Sequence, residues 1–199
     1  MLKIEKEYLE EYGDVPETPS GRIDYLLKSV NLRRSHGSVF DTIEAIQSIK
    51  WNKIEYTIYL LPKATPRPRT GNGLFYVKGA KDNKKIFSKY IENTNISMIY
   101  TPCKFYCSTY YPIPSSMNGI EKVVAELGFI RPISKPDWDN VAKAYCDMIQ
   151  GTLLYDDSII IEGVSKKFYS VKPRIEIVIE YMDDFDSKFN KMKIDKKVR

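Results

Sequence analysis

Lys135-Pro136-Asp137-Trp138-Asp139-Asn140-Val141-Ala142-Lys143, followed by Asp147 and by the pair Asp156-Asp157, is the stretch that decides the reading of this chain. Proline disfavours helix in the residue before it, and an aspartate just after it can cap the helix that follows. From Asp139 onward, Val141, Ala142, Tyr145, Cys146 and Ile149 recur at helical intervals. The spacing predicts a helix over 139–150, closed by Gly151. Residues four apart share a helix face, so Asp139, Lys143 and Asp147 form one polar stripe opposite the apolar set. A short segment then brings Asp156-Asp157 to the apolar run Ile159-Ile160-Ile161, which reads as a strand. Acids at a helix start and at a strand edge could converge in space.

Five carboxylates crowded around one lysine repel one another unless protons, cations or distance compensate. A divalent cation is the economical answer, because hard carboxylate oxygens suit Mg²⁺ or Mn²⁺. Such an ion at a phosphate would activate water and stabilise the leaving oxygen, with Lys143 as a point charge beside the transition state. The bland alternative is a solvated acidic face with a helix cap and an i,i+4 pair. The added lysine and the Asp-Asp pair make that alternative the weaker one.

The run from Lys135 to Ser170 resembles the signature of the RusA family of Holliday junction resolvases: P-D-x-D-N-x-x-K, a further aspartate along the helix, then D-D before a strand with basic residues. The likeness covers residues 53–182, and its motif is specific. It implies that Asp137, Asp139 and Asp157 bind the catalytic metal and that Lys143 assists. Asp147 and Asp156 match family positions as further metal candidates. It also implies a homodimer acting on branched, four-way DNA, with ligatable 5′-phosphate and 3′-hydroxyl ends. Recombination and repair of bacterial or phage DNA is the implied setting.

The remainder of the chain supplies a scaffold and a basic platform. At 199 residues and 43% apolar content it is long enough for one good core, with an extra N-terminal element. No apolar run approaches a membrane span, and the first residues lack the layout of a secretory signal, so a cytoplasmic protein is expected. Cys103, Cys107 and Cys146 do not form a disulfide framework; reduced structural thiols are expected over a zinc site. The single histidine, His36, removes most histidine-dependent hydrolase mechanisms, and the absence of a phosphate-binding G-x-x-x-x-G-K-[ST] loop leaves no nucleotide cofactor.

Residues 1–14 read as an acidic helix, and 20–31 and 38–50 carry helical periodicity around a basic linker, Arg33–Gly37. An alternating strand is expected over 53–61. The segment from Lys63 to Lys89 then holds eight Lys or Arg against one Asp. Its prolines and glycines read as irregular structure until Leu74. Here phosphates would be met by Lys63, Arg67, Arg69, Lys78, Lys81, Lys84 and Lys85, with Tyr76 as a stacking surface. An ordinary solvated turn region is the alternative.

A basic helix follows over 80–92, an aromatic strand over 103–111, and a helix over 118–127 capped by Ser116 or Asn118. Strands are expected over 159–169 and 175–181. Lys166 and Lys167 on the first could hold DNA beside the metal or simply solubilise a strand end. The expected architecture is α+β: a small mixed, mostly antiparallel sheet packed with helices. Residues 1–50 form a helical extension, 51–182 the nuclease domain and 183–199 a charged, flexible tail. The expected function is a metal-dependent endodeoxyribonuclease resolving four-way junctions by paired symmetric nicks. The alternatives are a flap, branched-DNA or RNA nuclease on the same site, and an inactive DNA-binding protein.

Overall fold

The computed structural model describes residues 3–29, 39–63, 69–71, 73–75, 89–91, 96–134 and 136–183. The chain divides into two units, 1–48 and 49–199. The first holds three helices, α1 (Lys3–Tyr12), α2 (Pro19–Ser29) and α3 (Val39–Gln47), where the periodicity places them. Thr18 starts α2 by accepting from the Gly21 amide at 3.2 Å. Tyr8, Leu9, Ile23, Leu26 and Phe40 are all exposed, and no residue described in this unit is buried. The Arg33–Gly37 linker, with His36, lies outside the described residues.

The second unit runs β1 (Trp51–Ile58), β2 (Arg69–Gly71), β3 (Gly73–Phe75), β4 (Cys103–Pro112), α4 (Gly119–Glu126), α5 (Trp138–Ile149), a 3₁₀ turn (Asp157–Ile159), β5 (Ile160–Ser170) and β6 (Arg174–Met182). The main sheet has the order β1-β6-β4-β5. Its β1–β6 and β6–β4 pairs are antiparallel, and its β4–β5 pair is parallel. This is the mixed, mostly antiparallel α+β sheet that the sequence predicts. A parallel pair requires a long crossover, and residues 113–159 supply it with α4 and α5. The short β5–β6 link passes over the end of β4, where Pro112 pairs with Ser170 and Tyr110 with Arg174.

Several boundaries differ from expectation. β1 starts two residues earlier and stops at Ile58, because its partner β6 begins at Arg174 and Ile58 pairs with Ile175. Leu60 N then donates to Ile58 O at 2.9 Å and turns the chain. Arg69–Gly71 and Gly73–Phe75, expected to be largely irregular, pair as a small hairpin about position 72. Of the helix expected over 80–92, only 89–91 are described, and these are helical. The charged tail lies outside the described residues beyond Asp183.

Strand alternation puts one sheet face into the core. Cys103, Phe105 and Cys107 of β4 join Ile175, Ile177 and Ile179 of β6 and Tyr56 and Ile58 of β1. Against them lie Val141, Tyr145, Met148 and Ile149 of α5, with Leu153, Leu154 and Ile159 beyond it. Burying a side chain of this size stabilises the fold by roughly 1.5–3 kcal/mol each, so α5 is fixed chiefly by its apolar face. On the other sheet face, Tyr110 stacks on Phe168 at 5.0 Å, and the Arg174 guanidinium lies 3.6 Å from the Tyr110 ring centroid. Glu176 receives both Tyr110 Oη and Arg174 Nε, at 2.9 and 2.7 Å. α4 is held by a reciprocal cap, in which Asn118 accepts from the Glu121 amide and Glu121 accepts from the Asn118 amide. No helix of the described residues is long and apolar enough to cross a membrane.

Candidate active site

α5 performs the partition that its spacing dictates. Val141, Tyr145, Cys146 and Ile149 are buried, while Asp139, Lys143 and Asp147 are exposed on the opposite stripe. Asp137 is the N-cap residue, yet its carboxylate makes no cap hydrogen bond. Among the described residues it accepts from the Asn140 amide, at 3.4 Å, so its oxygens remain available to a ligand.

The start of α5 is stitched to the middle of β5. Trp138 Nε1 donates to Ser165 O at 3.0 Å, and Ser165 Oγ donates to Trp138 O at 3.4 Å. Lys167 Nζ donates to Ser134 O and Pro136 O, at 3.0 and 3.1 Å. At the other end of the helix, Gln150 Nε2 donates to Asp156 Oδ2 at 3.0 Å. Asp156 also caps the 3₁₀ turn by accepting from the Ser158 amide at 2.9 Å. These bonds with Ser158, and then with Gln150, hold the Asp156 carboxyl below its usual range. Asp157 is exposed in the first turn beside it.

The acids therefore form two groups within one chain. Asp137 and Asp139 sit at the N-terminus of α5, and Asp156 and Asp157 sit near its C-terminus with Asp147 one turn before the end. Twelve helical residues separate the ends by about 18 Å. The strand gives a similar ruler: Ile160 to Ser165 rises about 16 Å, with Asp157 before one end and Trp138 bonded to the other. The expected convergence of helix-start and strand-edge acids does not occur inside a single chain. Among the described residues, no three His, Cys, Asp or Glu side chains gather closely enough to hold a metal ion. The donor chemistry itself, all hard carboxylate oxygen, fits Mg²⁺ or Mn²⁺.

The lysine pair on β5 is split by strand alternation. Lys166 is exposed and pairs with Ser108 on the other face, whereas Lys167 turns toward α5 and spends its ammonium on the two loop carbonyls. Lys63 is exposed, and its backbone is tied to the acidic helix. Its amide donates to Tyr145 Oη at 3.0 Å, and Tyr145 Oη donates to Lys63 O at 3.3 Å. The basic loop thus departs from the flank of α5. Arg69 lies in β2; Arg67, Tyr76, Lys78, Lys81, Lys84 and Lys85 lie outside the described residues.

The three cysteines are free and buried. Burial pushes the Cys103 thiol up to about 11 and those of Cys107 and Cys146 up to about 12. The charges of Asp157, Asp147 and Asp156 add to the effect at Cys146. These thiols are packing groups at neutral pH. Sequence reasoning did not single out Trp138, Ser165, Gln150 or Tyr145. Only strand parity, which turns one of two adjacent lysines inward, carried a signal for the Lys167 contact.

An exposed Asp139–Lys143–Asp147 stripe, with Asp137 at the head of the helix and a mixed sheet behind it, carries the hard-oxygen donors and fixed charge that phosphodiester chemistry uses. Residues 60–180 match endodeoxyribonuclease RusA, and the chain belongs to that family of nucleases. It is also similar to the uncharacterized protein YqaN of Bacillus subtilis (strain 168), with 32% identity over 135 residues, covering 63% of this chain and 94% of that protein.

Proposed function

We propose that this chain is a Mg²⁺- or Mn²⁺-dependent endodeoxyribonuclease that resolves four-way DNA junctions by paired symmetric nicks. The observation that carries the reading is the exposed set Asp137, Asp139 and Lys143 at a helix start, in a chain of the RusA family. Asp137, Asp139 and Asp157 would hold the ion, with Asp147 and Asp156 beside Asp157. When bound, the ion supplies Lewis-acid charge that activates water and stabilises the departing 3′ oxygen. Water adds to phosphorus, the P–O3′ bond breaks, and the products carry 5′-phosphate and 3′-hydroxyl ends. Lys143 offers fixed positive charge to the developing negative transition state. Lys63 and the basic loop beginning there track the phosphodiester backbone. Asp156, already engaged by Gln150 and Ser158, orients the turn that carries Asp157.

The same reading includes a homodimer. Carboxylates that share one ion lie within about 5 Å of one another, whereas Asp139 and Asp147 of one chain are about 12 Å apart along α5, with Asp156 and Asp157 beyond its end. A two-fold partner can present its Asp157 to the Asp137 and Asp139 of the first chain and receive the reciprocal set. It also supplies the second site that symmetric cutting requires.

The test is cleavage of a labelled four-way junction with Mg²⁺, beside linear duplex, flap and RNA controls and an Asp157→Asn variant. Paired nicks on the junction alone, absent in the variant and in EDTA, are expected. Equal cutting of flaps would retain the chemistry and discard the junction. Tight binding without cutting in Mg²⁺ or Mn²⁺ would leave a DNA-binding protein.

A further inference from the structure

We propose that Lys167 is a positioning residue: it acts with Trp138 and Ser165 to fix the loop that aims Asp137, and it does not contact DNA. The inference rests on the metal-site reading above. Two adjacent lysines on one strand have different surroundings. Lys166 is exposed, as a phosphate-binding lysine must be; Lys167 is half-buried. Its ammonium donates to Ser134 O and Pro136 O, the second of which belongs to the peptide that leads into Asp137.

Two further bonds close the arrangement one residue later, Trp138 Nε1 to Ser165 O and Ser165 Oγ to Trp138 O. Four hydrogen bonds from β5 thus bracket Asp137 from both sides. The carboxylate itself has no cap bond to orient it. Its direction is set instead by the backbone, and the backbone is set by β5. An ammonium at this place also lays positive charge behind a carboxylate-rich turn, offsetting repulsion before any cation arrives. Groups that hold metal-ligating residues from behind typically change metal affinity 10- to 100-fold when removed.

The experiment compares wild type with Lys167→Met, Lys167→Arg and Trp138→Phe in the full-length chain, using three readouts. Mn²⁺ affinity of the DNA-free protein is measured by calorimetry. The salt dependence of junction binding is measured in EDTA. Amide exchange over 137–141 is followed without metal. Lys167→Met should weaken Mn²⁺ about 10-fold or more, accelerate exchange at those amides, and leave the salt slope unchanged. Lys167→Arg, which can still reach two carbonyls, should recover much of the loss.

A salt slope reduced by about one, with Mn²⁺ affinity retained, would make Lys167 a phosphate contact and overturn the proposal. Unchanged values on all three readouts would overturn it equally. Should Lys167→Met fail to fold, Trp138→Phe decides: it deletes a single bond on an exposed ring and should shift Mn²⁺ affinity and exchange in the same direction. A wild-type chain that takes up no Mn²⁺ would defeat the metal reading, whereas the exchange data would still decide whether β5 fixes this loop.

Discussion

Mixing two inactive variants should restore activity. The perturbation is Asp137→Asn in one preparation and Asp157→Asn in another, each expected to bind junctions and cut none. The magnitude follows from α5. Eight residues of helix hold Asp139 and Asp147 about 12 Å apart, with Asp156-Asp157 beyond the helix end, more than twice the span across which two carboxylates share one ion. Each working site must then combine Asp137 of one copy with Asp157 of the other. In a mixed dimer one site carries both substitutions, and the other carries neither. Random exchange of equal amounts makes about half of the dimers mixed, each with one intact site, or about a quarter of the wild-type site concentration.

The assay is single-turnover nicking of a labelled junction after subunit exchange, with exchange verified by mass on differently tagged chains. The restored product should be a single nick rather than a resolved pair, since only one site per dimer is whole. A verified mixed population that remains inactive would refute the reasoning. It would mean that the acids act within one chain, and hence that the ends of α5 come together in some other conformation.

Further outcomes follow from the same geometry. Lys143→Ala should slow single-turnover cutting by about 10²-fold with junction affinity in EDTA unchanged, as removal of a preorganised charge would; an unaltered rate removes it from the mechanism. The native thiols should resist a disulfide reagent at about pH 8 and react only on denaturation, since burial keeps them protonated; fast native labelling would contradict their packing. An unfolded thiol ionises near 9.0 while folded Cys107 waits until about 12, so its contribution to stability is full below the lower value and declines as pH rises beyond it. Cys107→Val should accordingly flatten the fall in Tm above about pH 9, and an unchanged pH profile would count against the shift. Asn118→Ala should cost about 1 kcal/mol through loss of the reciprocal cap, read from denaturant midpoints; a midpoint equal to wild type would show α4 uncoupled from global unfolding.

The apolar spacing of α5 made its inward and outward faces legible in the sequence, and alternation did the same for β1, where Tyr56 and Ile58 turn inward. Those patterns report which side of an element meets the core. They do not report which strands are neighbours, so the parallel β4–β5 pair and the passage of 171–173 over the end of β4 had no signal in the sequence. The hairpin at 69–75 was hidden for a related reason. Proline and glycine mark a turn, but the pairing of Arg69–Gly71 with Gly73–Phe75 is set by chain reversal at a single position. Lys166 and Lys167 were open to better reading, because consecutive strand residues face opposite ways.

The site was legible in its parts and misjudged in its assembly. Spacing placed Asp139, Lys143 and Asp147 on one exposed stripe, and they are there. That Asp156-Asp157 could join them was read from nearness in sequence, and among the described residues of one chain no three acids gather at a metal-binding distance. A helix turns the eight-residue step from Asp139 to Asp147 into a rise of about 12 Å, and where the returning chain leaves Asp156-Asp157 depends on the turn after the helix, which spacing does not report. Gln150 then binds Asp156 to the far end, while β5 binds Trp138 and the Pro136 carbonyl to the near end. With both ends fastened, small backbone adjustments cannot bring the acids together. On the proposed reading a second copy completes the site, and a melted helix is the alternative. Melting α5 would expose Val141, Tyr145, Met148 and Ile149 at a cost of roughly 1.5–3 kcal/mol each, a large part of what holds this domain folded. Association, as proposed for this chain, would complete the site at less cost.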